Sequence, residues 1–197
     1  MKRLRQMFVL LALVHLQGYL LADEPLSQSL DSHDPNVRCA ARNQRLQLRR
    51  TIVNECIRTL QSHEGKFEFN DPRLTTIQVL EAFRAPEAVD PLIRIIEYPD
   101  PLGVISEDRE PTLADSYPAA RALIAIGKPA SRACVYELTK PNSPLRREKL
   151  CAVIRYVEGV DVGRVLLHNK MRELESDAER AILKEAIAFY EELFREK

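Results

Sequence analysis

The chain lacks tryptophan altogether and has only six glycines among its 197 residues. Scarce glycine, combined with many Ala, Leu, Arg and Glu residues, favours helix over sheet. A half-buried strand would alternate apolar and polar side chains, and no segment sustains that alternation. The sequence therefore predicts an all-α fold of about eight helices, with a length that suits one domain.

Motifs that carry enzyme chemistry are also missing. There is no G-x-S-x-G nucleophile elbow, no G-x-x-x-x-G-K-[ST] phosphate loop and no G-x-G-x-x-G dinucleotide fingerprint. His33, His63 and His168 are scattered without an H-E-x-x-H pair, and no C-x-x-C occurs. We therefore predict no catalytic residue, no cofactor and no metal ligand. The alternative from a different class is an enzyme whose site lies on the acidic connection at 99–112. The carboxylates of that connection could suit calcium, but their spacing lacks the D-x-D-x-D-G core of an EF-hand.

Charge of neither sign dominates, because 29 basic residues balance 29 acidic ones. A near-neutral protein has no overall field that attracts nucleic acid. The arginine-rich stretch that begins at Arg38 also lacks the aromatic side chains on which single-stranded bases stack. We therefore expect no nucleic-acid partner.

Residues 1–22 have the layout of a signal peptide. A positive start, with Lys2, Arg3 and Arg5, precedes the mainly apolar stretch Met7–Leu21, and Ala22 precedes an acidic, proline-containing segment. The apolar run of about 15 residues is shorter than the roughly 20 that a membrane-spanning helix needs. We therefore expect export, to the periplasm or out of the cell, with cleavage after Ala22. The alternative is an uncleaved anchor, which would limit membrane contact to this segment.

Residues 23–33 lack periodicity and are predicted to be a disordered lead-in. After them, three helix starts share one pattern. Each start puts a capping side chain before a proline: Asp34-Pro35, Asp71-Pro72 and Ser143-Pro144. The capping oxygen accepts an N–H that would otherwise have no partner, and proline lacks an N–H at the next position. The first helix is predicted from Pro35 to about Ser62.

The last helix is predicted to open with the capping box Ser176-Asp177-Ala178-Glu179. Helical periodicity then assigns its apolar face to five residues: Ala178, Ile182, Ala186, Phe189 and Leu193. Four tyrosines are predicted to lie at the edge of the core: Tyr117, Tyr136, Tyr156 and Tyr190.

Three helix pairs are predicted between these ends: Pro72–Arg84 with Pro86–Tyr98, 113–126 with 129–140, and 144–157 with 160–172. In the middle pair a small-residue helix ends at Ile126-Gly127, and Pro129-Ala130 starts its partner. A related pattern stands about 43 residues earlier, within the period of about 40–47 residues expected of stacked helical repeats. Pro91 removes one backbone bond, so a tight or kinked first turn is expected in its helix.

The segments Leu-x-x-Ile-Gly-Lys-Pro-Ala at Leu123–Ala130 and Leu-x-x-Phe-Arg-Ala-Pro-Glu-Ala-Val-Asp-Pro-Leu-Ile at Leu80–Ile93 resemble bacterial HEAT-like repeats. The resemblance covers Ile77–Leu138 and, more weakly, Leu150–Leu167. It implies a right-handed α-solenoid of antiparallel helix pairs over residues 34–197. Such repeats are mostly interaction scaffolds, and some bacterial members assist chromophore attachment to light-harvesting proteins. The repeat motif is structural, so it implies no catalytic residues.

The four cysteines allow disulfides if the protein is exported. Cys134 and Cys151 lie eight and nine residues from a fold-back near Asn142, so an antiparallel helix pair would place them opposite each other. We predict a Cys134–Cys151 disulfide. Cys39 and Cys56 would lie about 25 Å apart on a continuous helix and could pair only if that helix breaks. The alternative is that all four are buried thiols in the core.

Four arginines mark the candidate partner-binding surface: Arg38, Arg42, Arg45 and Arg49. On a helix they share one face within about 60°, given 100° per residue. This arginine face could contact an acidic protein, a polysaccharide or lipid headgroups. The alternative is a solvated face partly neutralised by neighbouring acids.

Together these features predict an exported, non-enzymatic interaction scaffold that binds another protein or an anionic ligand through its helical-repeat surface. A protein partner is expected. The alternative is an accessory subunit of an enzyme complex, with a lyase-like or chaperone-like role. Both functions are compatible with an absence of catalytic motifs.

The export hypothesis gives the first test. Mass spectrometry of the protein purified from its native cells should show a mature chain that starts at Asp23, because the signal peptidase removes residues 1–22. An intact N-terminus in the cytoplasm would contradict export and the argument that disulfides can form.

Overall fold

The computed structural model of the protein describes residues 24–62, 71–100 and 116–194. Helices and turns account for the regular structure of these residues, and no strand occurs among them. The predicted all-α class is therefore confirmed. The signal peptide predicted at 1–22 and nearly all of the acidic connection at 99–112 lie outside the described residues.

Nine α-helices occur in the described ranges. Their bounds are α1 Glu24–Leu30, α2 Pro35–Gln61, α3 Pro72–Ala82, α4 Val89–Arg94, α5 Pro118–Ile126, α6 Lys128–Glu137, α7 Pro144–Glu158, α8 Val160–Glu173 and α9 Asp177–Leu193. A 3-10 turn at Pro86–Ala88 leads into α4. The predicted helix at Pro86–Tyr98 is thus a 3-10 turn followed by a short α-helix, which agrees with the tight first turn expected near Pro91.

The chain divides into two compact units, 1–54 and 55–197, and α2 runs through the boundary. In the first unit, α1 is a seven-residue helix in the segment for which the sequence predicted disorder. Its sequence places Pro25 at the second helical position, where the missing N–H costs no hydrogen bond. The predicted first helix is confirmed at Pro35–Gln61 without a break.

The three predicted proline-led starts are capped as expected. The capping oxygens accept from backbone N–H groups two or three residues ahead: Asn36 to Asp34 Oδ1 at 2.8 Å, Arg73 to Asp71 Oδ1 at 2.9 Å and Arg146 to Ser143 Oγ at 3.1 Å. At the second start the Arg73 guanidinium also reaches Asp71 Oδ2 at 2.6 Å, and both residues are buried. The ion pair fixes the cap that directs α3.

Each helix pair in the second unit folds back through a residue with positive φ. These residues are Arg84 (φ 45°), Gly127 (φ 84°) and Gly159 (φ 81°). Left-handed backbone is nearly free for glycine and costs other residues about 1–2 kcal/mol, which explains the glycines at the second and third turns. The turns predicted at Gly127 and Gly159 are confirmed.

The helices of the second unit contact one another in two series. The first members α3, α5 and α7 touch in chain order, and so do the second members α4, α6 and α8, while α9 packs on α7 and α8. The core between them consists of fully buried aliphatic side chains, including Ile77, Leu80, Leu92, Leu123, Leu150, Ile154 and Leu167. Each contributes about 1.5–3 kcal/mol of burial free energy relative to exposure.

The apolar face predicted for α9 is confirmed at Ala186, while its other buried residues each come one position after a predicted residue and Ala178 is exposed. The buried side chains are Leu183, Ala186, Ile187 and Tyr190, whereas Leu193 is exposed. Tyr190 is fully buried rather than at the core edge, and its hydroxyl lies 3.3 Å from the carbonyl oxygens of Gly159 and Val160. Burial raises the pKa of Tyr190 to about 12, so the hydroxyl stays protonated and can donate.

Gly163 makes room for that tyrosine on α8. A Cβ built on Gly163 would lie 2.3 Å from Tyr190 Oη and 3.0 Å from Ile154 Cγ2. Such distances require the neighbours to move, and overpacking of this kind costs about 1–3 kcal/mol. Gly163 therefore sets how closely α8 approaches α9.

We expect Gly163→Ala to lower the free energy of unfolding by about 1–3 kcal/mol and Tyr190→Phe to lower it by about 0.5–1.5 kcal/mol. The double variant should lose less than the sum, because phenylalanine removes the oxygen that the added methyl group would meet. Urea unfolding of the wild type and the three variants measures this coupling, and strict additivity would contradict the close contact.

Candidate partner-binding surface

The arginine face lies on α2 because the helix is continuous from Pro35 to Gln61. The structure thus keeps Arg38, Arg42, Arg45 and Arg49 on one helical face, as the spacing predicted. From Arg38 to Arg49 the face is about 16 Å long at 1.5 Å per residue. The four side chains nevertheless differ in their surroundings.

Arg38 is tied to the turn that precedes its own helix. Its Nη1 donates to the carbonyl oxygen of Ser32 at 2.6 Å and to that of His33 at 2.9 Å. The side chain is half-buried. Arg38 therefore anchors the start of α2, and part of its donor capacity is already used.

Arg42 and Arg45 are exposed, and neither forms a salt bridge within the described part of the chain. Arg49 is half-buried and has an interaction partner of its own. The structure thus places two of the four predicted arginines, Arg42 and Arg45, where a partner could reach their full guanidinium forks. A guanidinium fork can bind a carboxylate, sulfate or phosphate through two parallel hydrogen bonds.

The composition of α2 leaves its charge largely uncompensated. The helix contains six arginines and one acidic residue, Glu55. Glu55 already pairs with Arg58 on the next turn. The alternative of a face partly neutralised by neighbouring acids therefore finds no such acids within α2 itself.

Apolar side chains flank the arginine face. Val37, Leu46 and Leu48 are exposed, and each lies within about 110° of the centre of the face. Further along α2 the same face is occupied by the buried residues Val53, Cys56 and Leu60. One side of α2 thus changes from basic and exposed to apolar and buried, a change that the arginine spacing alone did not reveal.

The cysteines fall into two classes. Cys39 is exposed, while Cys56, Cys134 and Cys151 are buried, and all four are free thiols in the structure. The continuous α2 excludes a bond between Cys39 and Cys56, which lie about 25 Å apart along it. Cys134 and Cys151 lie on α6 and α7, which pack together as the predicted disulfide requires. Because both are free thiols in the structure, the disulfide stays a prediction.

Burial suppresses the reactivity of the interior thiols. It raises the pKa of Cys56 to about 11, with a smaller contribution from Glu55. It raises the pKa of Cys151 to about 12 and raises that of Cys134, where the neighbouring Cys151 adds to the effect. Because the thiolate is the attacking species, a Cys134–Cys151 bond would have to form before the core closes.

Other types of site find little support in the described residues. No group of three His, Cys, Asp or Glu side chains there could hold a metal ion. No helix within the described ranges is long and apolar enough to cross a membrane.

A hydrogen bond links α6 to the end of α7, because the Ser131 hydroxyl donates to Glu158 Oε1 at 2.5 Å.

No family model, curated protein or solved structure matches the chain.

The disulfide can be tested by counting thiols. Protein from an oxidising compartment, denatured without reductant, should show two reactive thiols, Cys39 and Cys56. The bond would stabilise the fold by roughly 3 kcal/mol on the chain-entropy model, so reduction should lower the urea midpoint. In the native state only exposed Cys39 should react, which provides an internal control. Four reactive thiols in denaturant would rule the bond out.

Proposed function

We propose that the protein is an exported, non-enzymatic interaction scaffold that captures an acidic partner on the arginine face of α2. The observation that carries this proposal is the exposure of Arg42 and Arg45 without a salt bridge among the described residues. Because α2 already fixes the backbone that carries these arginines, binding orders less of the chain than it would on a loop, and each arginine can form bidentate bonds.

Exposed aliphatic residues beside the arginines support a protein partner. Leu46 and Leu48 lie on either side of the face and are each exposed. A protein interface commonly combines arginine with a desolvated apolar contact, whereas the charge alone would suit any anion. The partner is therefore a protein that presents carboxylates next to apolar side chains.

The scaffold itself is proposed to be a HEAT-like, right-handed solenoid. Three successive fold-backs through a positive φ residue support a repeated unit, and so do the two series of contacting helices. In such an array each pair rests mainly on its neighbours, and the outer surfaces of the pairs remain available for binding.

Charge reversal tests the arginine face. A tagged wild-type protein first captures its partner from an envelope fraction. Arg42→Glu/Arg45→Glu should then reduce capture at least about tenfold and remove most of its salt dependence, because two arginine–carboxylate contacts become repulsive.

The matched control is Arg94→Glu/Arg172→Glu, which changes the net charge equally at exposed arginines that are not on α2. It should capture the partner like the wild type, and circular dichroism should show equal helicity for all three proteins. Equal capture by both double variants would contradict the proposal. If the captured protein is an enzyme whose activity depends on this chain, the accessory-subunit function replaces that of a simple scaffold.

A further inference from the structure

A second basic surface lies on α6, in the unit formed by residues 55–197. Lys128, Arg132, Tyr136 and Lys140 follow one another at intervals of four residues and are all exposed. We call them the α6 strip. Residues four apart drift by only about 40° around a helix, so the strip winds slowly along α6 and the turn after it for about 18 Å.

The ring of Tyr136 contacts two lysine ammonium groups. The Lys140 Nζ is 4.8 Å from the centroid of its ring, and the Lys170 Nζ of α8 is 5.8 Å from the same centroid. The tyrosine is nevertheless 56% exposed. Cation–π contacts therefore hold an aromatic ring in place at the surface without burying it.

The cations of the strip are not equally neutralised. Lys140 pairs with Glu137 at 2.7 Å, and Lys170 pairs with Glu173 at 3.3 Å. Lys128 and Arg132 form no salt bridge with any residue that the structure describes. Lys128 is also the first residue of α6, where a cation opposes the helix dipole and weakens the helix slightly. Its charge therefore does not serve the stability of α6.

Helix α8, the second member of the next helix pair, shows which kind of group complements the positions of the α6 strip. Counted from the fold-back glycines, Arg164 and His168 of α8 occupy the positions that Arg132 and Tyr136 occupy in α6. In α8, Arg164 lies 3.5 Å from Asp161 of its own helix and 3.8 Å from Glu191 of α9, and His168 lies 3.7 Å from the same Glu191. A carboxylate on a packed helix thus complements these positions in α8, and Arg132 in α6 has no such carboxylate among the described residues.

We propose that the α6 strip is a docking surface for an acidic segment of a partner polypeptide. Its carboxylates pair with Lys128 and Arg132, and one of its apolar side chains packs on the ring of Tyr136. The proposal concerns a different surface from the arginine face of α2 and does not depend on it.

Other anionic partners fit the strip less well. Tyr136 is the one large apolar side chain exposed on α6, whereas a helix that binds a lipid surface inserts several. Single-stranded nucleic acid stacks successive bases on several aromatic rings, and the strip offers one. Tyrosine and arginine, with tryptophan, are enriched among the few residues that carry most of the binding energy of a protein interface.

The absence of tryptophan from the chain supplies a sharp reporter. Tyr136→Trp places a single tryptophan in the strip, and Tyr156→Trp places one on α7 at nearly the same exposure, 57%. The probe is a peptide of eight Glu-Ala repeats, about 24 Å long as a helix, and the same peptide with Gln in place of Glu is the neutral control.

The Tyr136→Trp reporter should change its emission saturably with the Glu-Ala peptide and not with the Gln-Ala peptide, and the Tyr156→Trp reporter should stay silent. Adding Lys128→Glu/Arg132→Glu should weaken binding at least about tenfold, while Lys184→Glu/Arg50→Glu should change it less than about twofold. If the charge reversals lower the urea midpoint, Lys128→Gln/Arg132→Gln replaces them and should give a smaller loss of the same kind.

Three outcomes would overturn the proposal. The first is no response to the Glu-Ala peptide, and the second is equal binding by the reversed and control variants. The third is an equal or stronger response to vesicles of anionic phospholipid or to a heparin fragment, which would assign the strip to a lipid or a polysaccharide.

Discussion

The fold-back through a positive φ residue determines the arrangement of the second unit. Arg84, Gly127 and Gly159 reverse the chain, and after the two glycines the members of the pairs α5–α6 and α7–α8 pack against each other. The same reversal places equivalent positions of α6 and α8 at the same distance from their turns. The comparison between Arg132 and Arg164, on which the docking surface rests, is therefore a consequence of backbone geometry.

Local features of the fold could be predicted from the sequence. Asp71 and Ser143 cap their helices as expected because a cap needs only its own side chain and the next three residues. The face of α9 could not be predicted, since Ala178–Leu193 carries two overlapping apolar stripes and packing on α7 and α8 selects one of them. The selection depends on Gly163, a residue of another helix, and no pattern within α9 reveals it.

The candidate surfaces were predictable to different extents. Spacing alone placed four arginines on one face, but only the structure separates Arg38, bound to two carbonyl groups, from exposed Arg42 and Arg45. The α6 strip was not recognised in the sequence, where Tyr136 was assigned to the edge of the core. Its signal is a four-residue spacing of three cations and one aromatic, which becomes meaningful only when Lys170 of α8 is seen beside the ring.

The polar contacts between helices bear on how the second unit opens. Arg121 of α5 binds Glu81 of α3 at 2.9 Å, and Ser131 of α6 binds Glu158 of α7 at 2.5 Å. Each contact joins one helix pair to the next, so a pair in the middle cannot fray without breaking bonds on both sides. The α5–α6 pair occupies that middle position. A molecule bound to α6 would therefore raise the free energy of local opening in the neighbouring helix pairs as well as at its own site. Binding to the folded state stabilises every segment that must unfold together with the site.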